Sequence, residues 1–340
     1  MGEHHSKILI IDLAFIGDLL MATPAISEIK RLYPGAHVTV LSSPTSAEVL
    51  QRNPAVDRIL TFDKKSAGLW KIAAMAGKLR RENFDVAFIF HRAFGSALMA
   101  YLAGIRRRVG FATEGRRILL TDPVHLDTTK HRADNDLAVL QAYGLQPDPS
   151  APLVFITDPA DERFPEEVLG NETVSSGYAV YNPNASWETK RWPVERFREL
   201  AQKVETELGL KPVGIGATSE KEIVGEALGG RGVNLAGRTN LSKLGVLCRK
   251  AKVVVTNDSG PMHIAAAMGS AVIALFGPTS PARCGPRSPK AVVVRSSDLV
   301  CISCYKKRCP TDFPCMIGIG VDEVFELVKE AVRDNFGGQS

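Results

Sequence analysis

Short apolar, β-branched runs alternate with helix-length stretches along this sequence, and the alternation is run through twice. In the first pass, residues 7–13, 37–41, 56–61, 85–90 and 108–111 read as buried strands. Helices are predicted over 19–33, 45–51, 68–81, 96–103 and 135–143. A turn-rich piece at 147–152 and a polar helix at 161–169 lead into a polar, turn-forming stretch at 170–177, the expected linker. The pattern then restarts. Strands are predicted at 178–182, 212–216, 233–235, 253–256, 271–276 and 291–295, with helices at 194–208, 220–228, 241–249 and 262–268. Strands separated by helices are joined by crossovers, so they form parallel sheets covered on both faces. The expected fold class is therefore α/β with two doubly wound halves, 1–170 and 177–320. A closing helix in 321–340 is expected to pack back on the first half. In such pairs ligands bind at the carboxyl ends of the strands, in a cleft between the halves.

Length agrees, since 340 residues exceed one typical core. Apolar residues make up 45% and charged residues 23%, the balance of a soluble globular chain. No apolar run approaches a membrane span, and the amino terminus has no signal-cleavage pattern, so a cytoplasmic location is expected. His4 and His5 read as a solvated terminus. The net charge of +5 suits an anionic ligand or a membrane surface, and does not by itself indicate nucleic acid.

Residues 253–281 carry the densest chemistry: VVVTNDSGPMHIAAAMGSAVIALFGPTSP. Asn257-Asp258-Ser259-Gly260-Pro261 ends a strand, Asp258 or Ser259 can cap a helix, and Pro261 suits a first helical turn. Such a turn aims backbone N–H groups and a helix dipole above the sheet, a seat for phosphate, with Asp258, Ser259 and His263 at its lip. The first turn, LAFIGDLL, lacks the G-x-G-x-x-G of a dinucleotide dehydrogenase. It offers Gly17 and Asp18 instead. Asp18 is either a helix cap or a carboxylate able to act as a general base. Ser186, Lys190 and Arg191 sit on the loop after the strand at 178–182. Cations there can neutralise a diphosphate, or the turn is merely solvated with Trp192 packed on the core. Glu220 and Glu222 either favour a helix dipole or accept hydrogen bonds from a ribose diol. Arg106–Arg108 and Arg116–Arg117, with His91-Arg92, form a solvated face or bind an anionic acceptor or lipid headgroup. Four of the six cysteines fall at Cys301-x2-Cys304-x4-Cys309-x5-Cys315. Reduced thiols are the preferred reading, ahead of a metal site or disulfides.

With these pieces placed, the chain resembles the ADP-heptose:lipopolysaccharide heptosyltransferases, glycosyltransferase family 9. The resemblance spans nearly the whole length. It rests on GDLLMATPAISEIKRLYPGAHVTVL, HRAFGSALMAYLAGIRRRVGF, KRWP, TNDSGPMHIAAAMG and ALFGPTSPARCGP. It implies a GT-B fold, two Rossmann-like domains with sheets facing a central cleft, the acceptor on the first and the nucleotide sugar on the second. It implies inverting transfer of heptose from ADP-L-glycero-D-manno-heptose to the Kdo/heptose inner core of lipopolysaccharide, without cofactor or metal. Asp18 matches the family's base. Lys190, Asp258, Ser259, Gly260 and His263 match its donor contacts, with Ser259 where Thr is more usual. Ser186 fits the hydroxyl near the diphosphate, and Glu220, with Glu222 as fallback, the ribose contact. Gly17, Arg92, Arg107 and Arg108 are the expected acceptor contacts. A lipid A–Kdo or heptosylated acceptor implies peripheral contact with the cytoplasmic face of the inner membrane. Rival readings are transfer of another nucleotide sugar to a surface glycan, a sugar-nucleotide epimerase, and a non-catalytic nucleotide-sugar binder.

Overall fold

The computed structural model describes residues 5–64, 68–296 and 299–337. The chain divides into two compact units, Met1–Ile156 and Thr157–Ser340. His4 lies outside the described residues. The first unit contains β1 (Lys7–Asp12), α1 (Ile16–Met21), α2 (Thr23–Leu32), β2 (His37–Ser42), β3 (Arg58–Thr61), α3 (Leu69–Glu82), β4 (Val86–Ile89), α4 (Phe94–Leu102), β5 (Arg107–Phe111), β6 (Asp122–Val124) and α5 (Arg132–Ala142). Its strands are all parallel, in the order β3-β2-β1-β4-β5-β6. β1 reads KILIID because it is covered on both faces, so apolar residues run continuously along it. β6 was not legible in the sequence: it has three residues and contains Pro123.

The single helix expected over 19–33 is two. Pro24 has no N–H for the Leu20 carbonyl, and the Thr23 hydroxyl donates to that carbonyl instead, at 2.7 Å. His5 is also not a solvated terminus. It is buried, with Nε2 2.6 Å from the Tyr143 hydroxyl and its ring edge-on to Tyr33.

The second unit contains α6 (Phe164–Leu169), α7 (Asn171–Ser176), β7 (Tyr178–Asn182), α8 (Val194–Leu208), β8 (Lys211–Gly214), α9 (Lys221–Leu228), β9 (Val233–Asn234), α10 (Leu241–Lys250), β10 (Val253–Asn257), α11 (Gly260–Ala267), β11 (Val272–Leu275), α12 (Pro281–Cys284), β12 (Ala291–Val294), α13 (Pro314–Ile317) and α14 (Val321–Gly337). Its sheet runs β9-β8-β7-β10-β11-β12, which repeats the strand order of the first unit. In both, the order reverses between the first and fourth strands, β1/β4 and β7/β10. Those are the crevices where doubly wound sheets take ligands.

Two boundary expectations are corrected. The stretch 170–177 is not the linker: α7 occupies most of it, and the units divide between Ile156 and Thr157. α6 belongs with the second half because Phe164 is buried and Lys250, at the end of α10, holds Glu166 at 2.9 Å and the Glu162 carbonyl at 2.7 Å. The closing helix does not reserve its apolar face for the first half. Val321, Val324, Phe325, Val328 and Val332 enter the second unit's own core, with Trp192, Phe197 and Leu200. No helix among the described residues is long and apolar enough to cross a membrane.

Candidate functional site

In the first unit the chain leaves β1 at Asp12, turns at 13–15 and enters α1. Asp18 is in the first turn of α1 and does not cap it, since the cap position is Phe15 and no side chain bonds there. Its carboxylate is instead 3.3 Å from Arg132 Nη1. Arg132 is fixed from two further sides: Nη2 meets Asp12 at 2.8 Å and Nε meets Asp136 at 3.0 Å. Asp12, Arg132 and Asp136 are buried, while the Asp18 side chain keeps 37% exposure. One guanidinium thus holds two carboxylates in the interior and steers a third toward solvent. Burial raises the Asp136 carboxyl to about 7 and raises Asp12 as well, with Arg132 pulling both back. The same neighbours raise the Arg132 guanidinium, so it stays charged.

The loop after β4 brings His91 and Arg92 to this place. His91 Nδ1 is 2.7 Å from Ser96 Oγ and Nε2 accepts from Lys64 Nζ at 3.5 Å. An ammonium can only donate, so the proton sits on Nδ1. Burial first, then Lys64, Arg132 and Arg116, lower His91 to about 3, and it is neutral at physiological pH. A folded pKa below the ordinary 6.5 means that the unfolded chain takes up this proton first. The stability tied to neutral His91 is therefore complete above pH 6.5 and lost as pH falls toward 3. His91→Gln, which removes the titration, should shift the acid-unfolding midpoint to lower pH, read by circular dichroism. An unchanged acid limb would count against this burial.

Gly17 is buried within α1, beside Asp18. Arg92 stacks on Phe111, with its guanidinium 5.8 Å from the ring centre, and its charge is felt by both Asp12 and Asp136. Arg107 and Arg108 are elsewhere. They open β5, level with Val86 and Ala87 at the start of β4, whereas Asp12 ends β1. They thus lie at the amino edge of the sheet. Arg107 pairs with Asp122 at 2.9 Å and covers Tyr143. Arg108 donates to the carbonyls of Leu119 and Ile105 and covers Tyr101. The two arginines expected to contact the acceptor thus stand at the opposite edge of the sheet from Asp18. Residues preceding a parallel strand emerge at its amino end, and that signal was present in the sequence.

In the second unit β10 ends at Asn257, and Ser259 caps α11 without a side-chain bond to it. Ser259 Oγ instead accepts from Asn182 Nδ2 at 2.7 Å, so the ends of β7 and β10 are tied across the reversal point. Asn257 fixes the loop after β7, accepting from the Trp192 N–H and donating to the Pro183 carbonyl. On that loop Lys190 Nζ is 2.7 Å from Asp258 Oδ2 and 4.7 Å from the Trp187 ring centre. Thr279 Oγ1 donates to the same oxygen at 2.7 Å. The α11 amino end, Asp258 and Lys190 therefore form one cluster, with Gly260 first in α11 and His263 buried in its first turn. Ser186 is exposed on the Lys190 loop. Glu220 uses one oxygen to accept the Ala217 N–H at 2.7 Å, while Glu222 is exposed on α9.

The Lys190–Asp258 pair was not foreseen, and neither was Arg132. The nearest signal for the latter is the i, i+4 spacing of Arg132 and Asp136. The cysteine segment packs on the turn after β11. A Cβ on Gly277 would stand 2.5 Å from Met316 Sδ and 3.0 Å from Cys315 Sγ. Cys301, Cys304, Cys309 and Cys315 are unbonded to one another. Hydrogen bonds from Thr311 lower the Cys309 thiol, and burial raises Cys315.

The profile of a family described as glycosyltransferase family 9 (heptosyltransferase) matches residues 72–313. Lipopolysaccharide heptosyltransferase 2 of Escherichia coli (strain K12) is 30% identical over 306 residues, which covers 85% of this chain and 88% of that protein. Lipooligosaccharide heptosyltransferase 2 of Haemophilus influenzae is 30% identical over 319 residues, 85% and 88% of the two chains. Among solved structures, the E. coli ADP-heptose lps heptosyltransferase II superposes with a TM-score of 0.79 at 26% identity, covering 97% of this chain and 99% of that one. The glycosyl transferase family 9 structure from Veillonella parvula DSM 2008 shares the fold, with a TM-score of 0.89 at 23% identity over 98% and 99%.

Proposed function

Because the chain belongs to glycosyltransferase family 9, the heptosyltransferases, we propose that it moves a heptose from ADP-heptose to the inner core of lipopolysaccharide, with Asp18 as the base. Its fold is GT-B, two Rossmann-like units each built on a parallel sheet. The second unit takes the nucleotide sugar and the first takes the acceptor. Support for the donor assignment is the cluster at the β7/β10 reversal. A departing diphosphate needs positive counter-charge, and the uncapped α11 amino end with Lys190 supplies it. Glu220 is the carboxylate within reach of a ribose diol from β8, and Ser186 the hydroxyl on the Lys190 loop.

The observation that carries the reading is Asp18 held by Arg132 at the β1/β4 reversal, partly exposed among buried partners. Asp18 takes the proton of the acceptor hydroxyl, and the freed oxygen attacks the anomeric carbon. The bond from that carbon to the diphosphate breaks on the opposite face, and ADP leaves with the electron pair. One displacement inverts the anomeric centre and needs no covalent sugar–enzyme intermediate, as for inverting glycosidases. Arg92 is the nearby cation for an anionic acceptor.

The test is a screen of ADP- and UDP-sugars against truncated lipopolysaccharide acceptors, with the product's anomeric configuration read by NMR. Product only from ADP-heptose, inverted, is expected. Retention, or isomerisation of the donor with no acceptor present, would refute the reading. Lys190→Ala checks the donor seat separately. Losing one charge-assisted contact should weaken ADP binding by about 1.5–3 kcal/mol, or roughly 10- to 150-fold in Kd, measured by calorimetry. Unchanged ADP affinity would place the diphosphate elsewhere.

A further inference from the structure

Three buried asparagines stand where β7 and β10 end: Asn182, Asn184 and Asn257. Two of them spend their amides inside the protein. Asn182 Nδ2 donates to Thr256 Oγ1 at 2.9 Å and to Ser259 Oγ at 2.7 Å. Asn257 accepts the Trp192 N–H and donates to the Pro183 carbonyl. Asn184 differs. It is 4% exposed, yet its Nδ2 has no hydrogen-bond partner among the described residues. A buried N–H left unpaired is costly, so one kept beside a ligand crevice is held for a group that arrives with the ligand.

The backbone on either side of Asn184 is clamped. The Pro183 carbonyl accepts from Asn257 Nδ2 at 2.8 Å, and the Ala185 carbonyl accepts from Arg191 Nε at 3.0 Å. The amide is thus placed before any ligand binds. It borders the end of β8. A Cβ on Gly216 would stand 3.3 Å from Asn184 Nδ2 and 3.0 Å from both Glu220 Oε2 and Val224 Cγ2. Glycine therefore leaves a slot with two polar walls, an amide N–H on one side and a carboxylate on the other. Glu220 is steadied by the Ala217 N–H at 2.7 Å, and Gly216 by the Gly237 N–H on its carbonyl at 2.8 Å. Gly216 and Glu220 are half-buried and Ala217 is exposed, so the slot is open to solvent.

We infer that Asn184 is a selectivity residue for the donor nucleotide, its N–H donating to a ribose hydroxyl oxygen while Glu220 accepts from the same diol across Gly216. A vicinal diol offers two O–H donors and lone pairs on both oxygens. A carboxylate satisfies the O–H groups but has nothing to give the lone pairs, and the amide N–H supplies that missing half. The Glu220 wall disfavours a free anion in the slot. Strand order suits the same ligand: Lys190 and the α11 amino end stand over β7 and β10, and the slot lies over β7 and β8, one strand further along. The inference deepens the donor reading of the second unit and rests on it.

The test is calorimetry of the full-length protein with ADP, 2′-deoxy-ADP and 3′-deoxy-ADP. Wild type should bind at least one deoxy analogue about 10-fold or more weaker than ADP, because the missing hydroxyl leaves the Asn184 N–H unpaired again. Asn184→Ala should weaken ADP about 10-fold and change the affinity of that analogue by less than about 2-fold. In transfer assays the donor KM should rise while kcat at saturating donor stays within about 2-fold, since the ribose lies across the diphosphate from the bond that breaks. Gly216→Ala, which puts a methyl in the slot, should weaken ADP by a similar factor and serves as the second variant. Three results would each overturn the inference: equal losses for ADP and both analogues in Asn184→Ala, wild-type ADP affinity in both variants, or a switch of preference from ADP to UDP, which would mean that the amide reads the base. Failure of the donor reading looks different, because wild type then binds none of the nucleotides and the inference falls with it.

Discussion

Asp18→Asn is expected to lower kcat by about 10²–10⁴-fold, the usual worth of a positioned general base, while ADP affinity stays close to wild type. The amide has nearly the shape of the carboxylate and still offers an oxygen to Arg132 Nη1, now 3.3 Å away. Geometry is thus largely kept and proton acceptance is lost. ADP affinity should hold because every donor contact proposed above belongs to the second unit, whereas Asp18 belongs to the first. Single-turnover transfer with saturating donor, beside calorimetric ADP titration, separates the two effects. A variant that retains most of its rate would remove Asp18 from the base role. A variant that loses ADP binding as well would show that the side chain supports structure and not proton transfer.

Removing Arg132 should have the largest effect on stability. Asp12 and Asp136 are each fully buried, and Arg132 is the cation that holds both. Arg132→Ala leaves two carboxylates in the interior without that charge, a loss of about 3–5 kcal/mol by the measure of broken buried ion pairs. The loss should depend on pH. The folded pKa of Asp136 is raised to about 7, so the stability tied to its protonated form is full below the ordinary carboxylate range and is lost as pH rises through about 7. With Arg132 gone, orphaned carboxylates take up protons more easily in acid, and the penalty should be smaller at pH 5 than at pH 8. Calorimetric unfolding at the two pH values is the measurement. Should Arg132→Ala fail to fold, Arg132→Lys serves. It keeps one charge but cannot span three carboxylates, and should lower kcat more than it lowers Tm. Equal unfolding of wild type and Arg132→Ala at pH 8 would mean that the network contributes no stability.

Much of the molecule could be read without coordinates because its signals are local. Continuous apolar runs such as KILIID and VVVT mark strands covered on both faces, and the helix-length stretches between them force parallel crossovers. The Asp258–His263 loop was legible for the same reason: strand, turn and helix start lie within a few residues, and the dipole at that turn follows from backbone geometry alone. Even the break at Thr23-Pro24 is local chemistry, a proline without an N–H beside a hydroxyl that takes its place.

What the tertiary structure decided is which distant residues share a place. Arg132 meets Asp18 across 114 residues of chain, and nothing near either predicts it. Lys190 meets Asp258 because Asn257 pins the loop after β7 to the end of β10, which is a consequence of sheet order. The Arg107-Arg108 pair resembled an acceptor site by charge and was carried to the amino edge by strand direction. Phe164 and the Glu162–Lys250 and Glu166–Lys250 contacts moved the division of the chain to Ile156. Hydrophobic periodicity and turn chemistry act over one or two elements, so sequence determined the elements and their class. Ion pairs and buried charge act over distance in space, so only the folded chain could assign their partners.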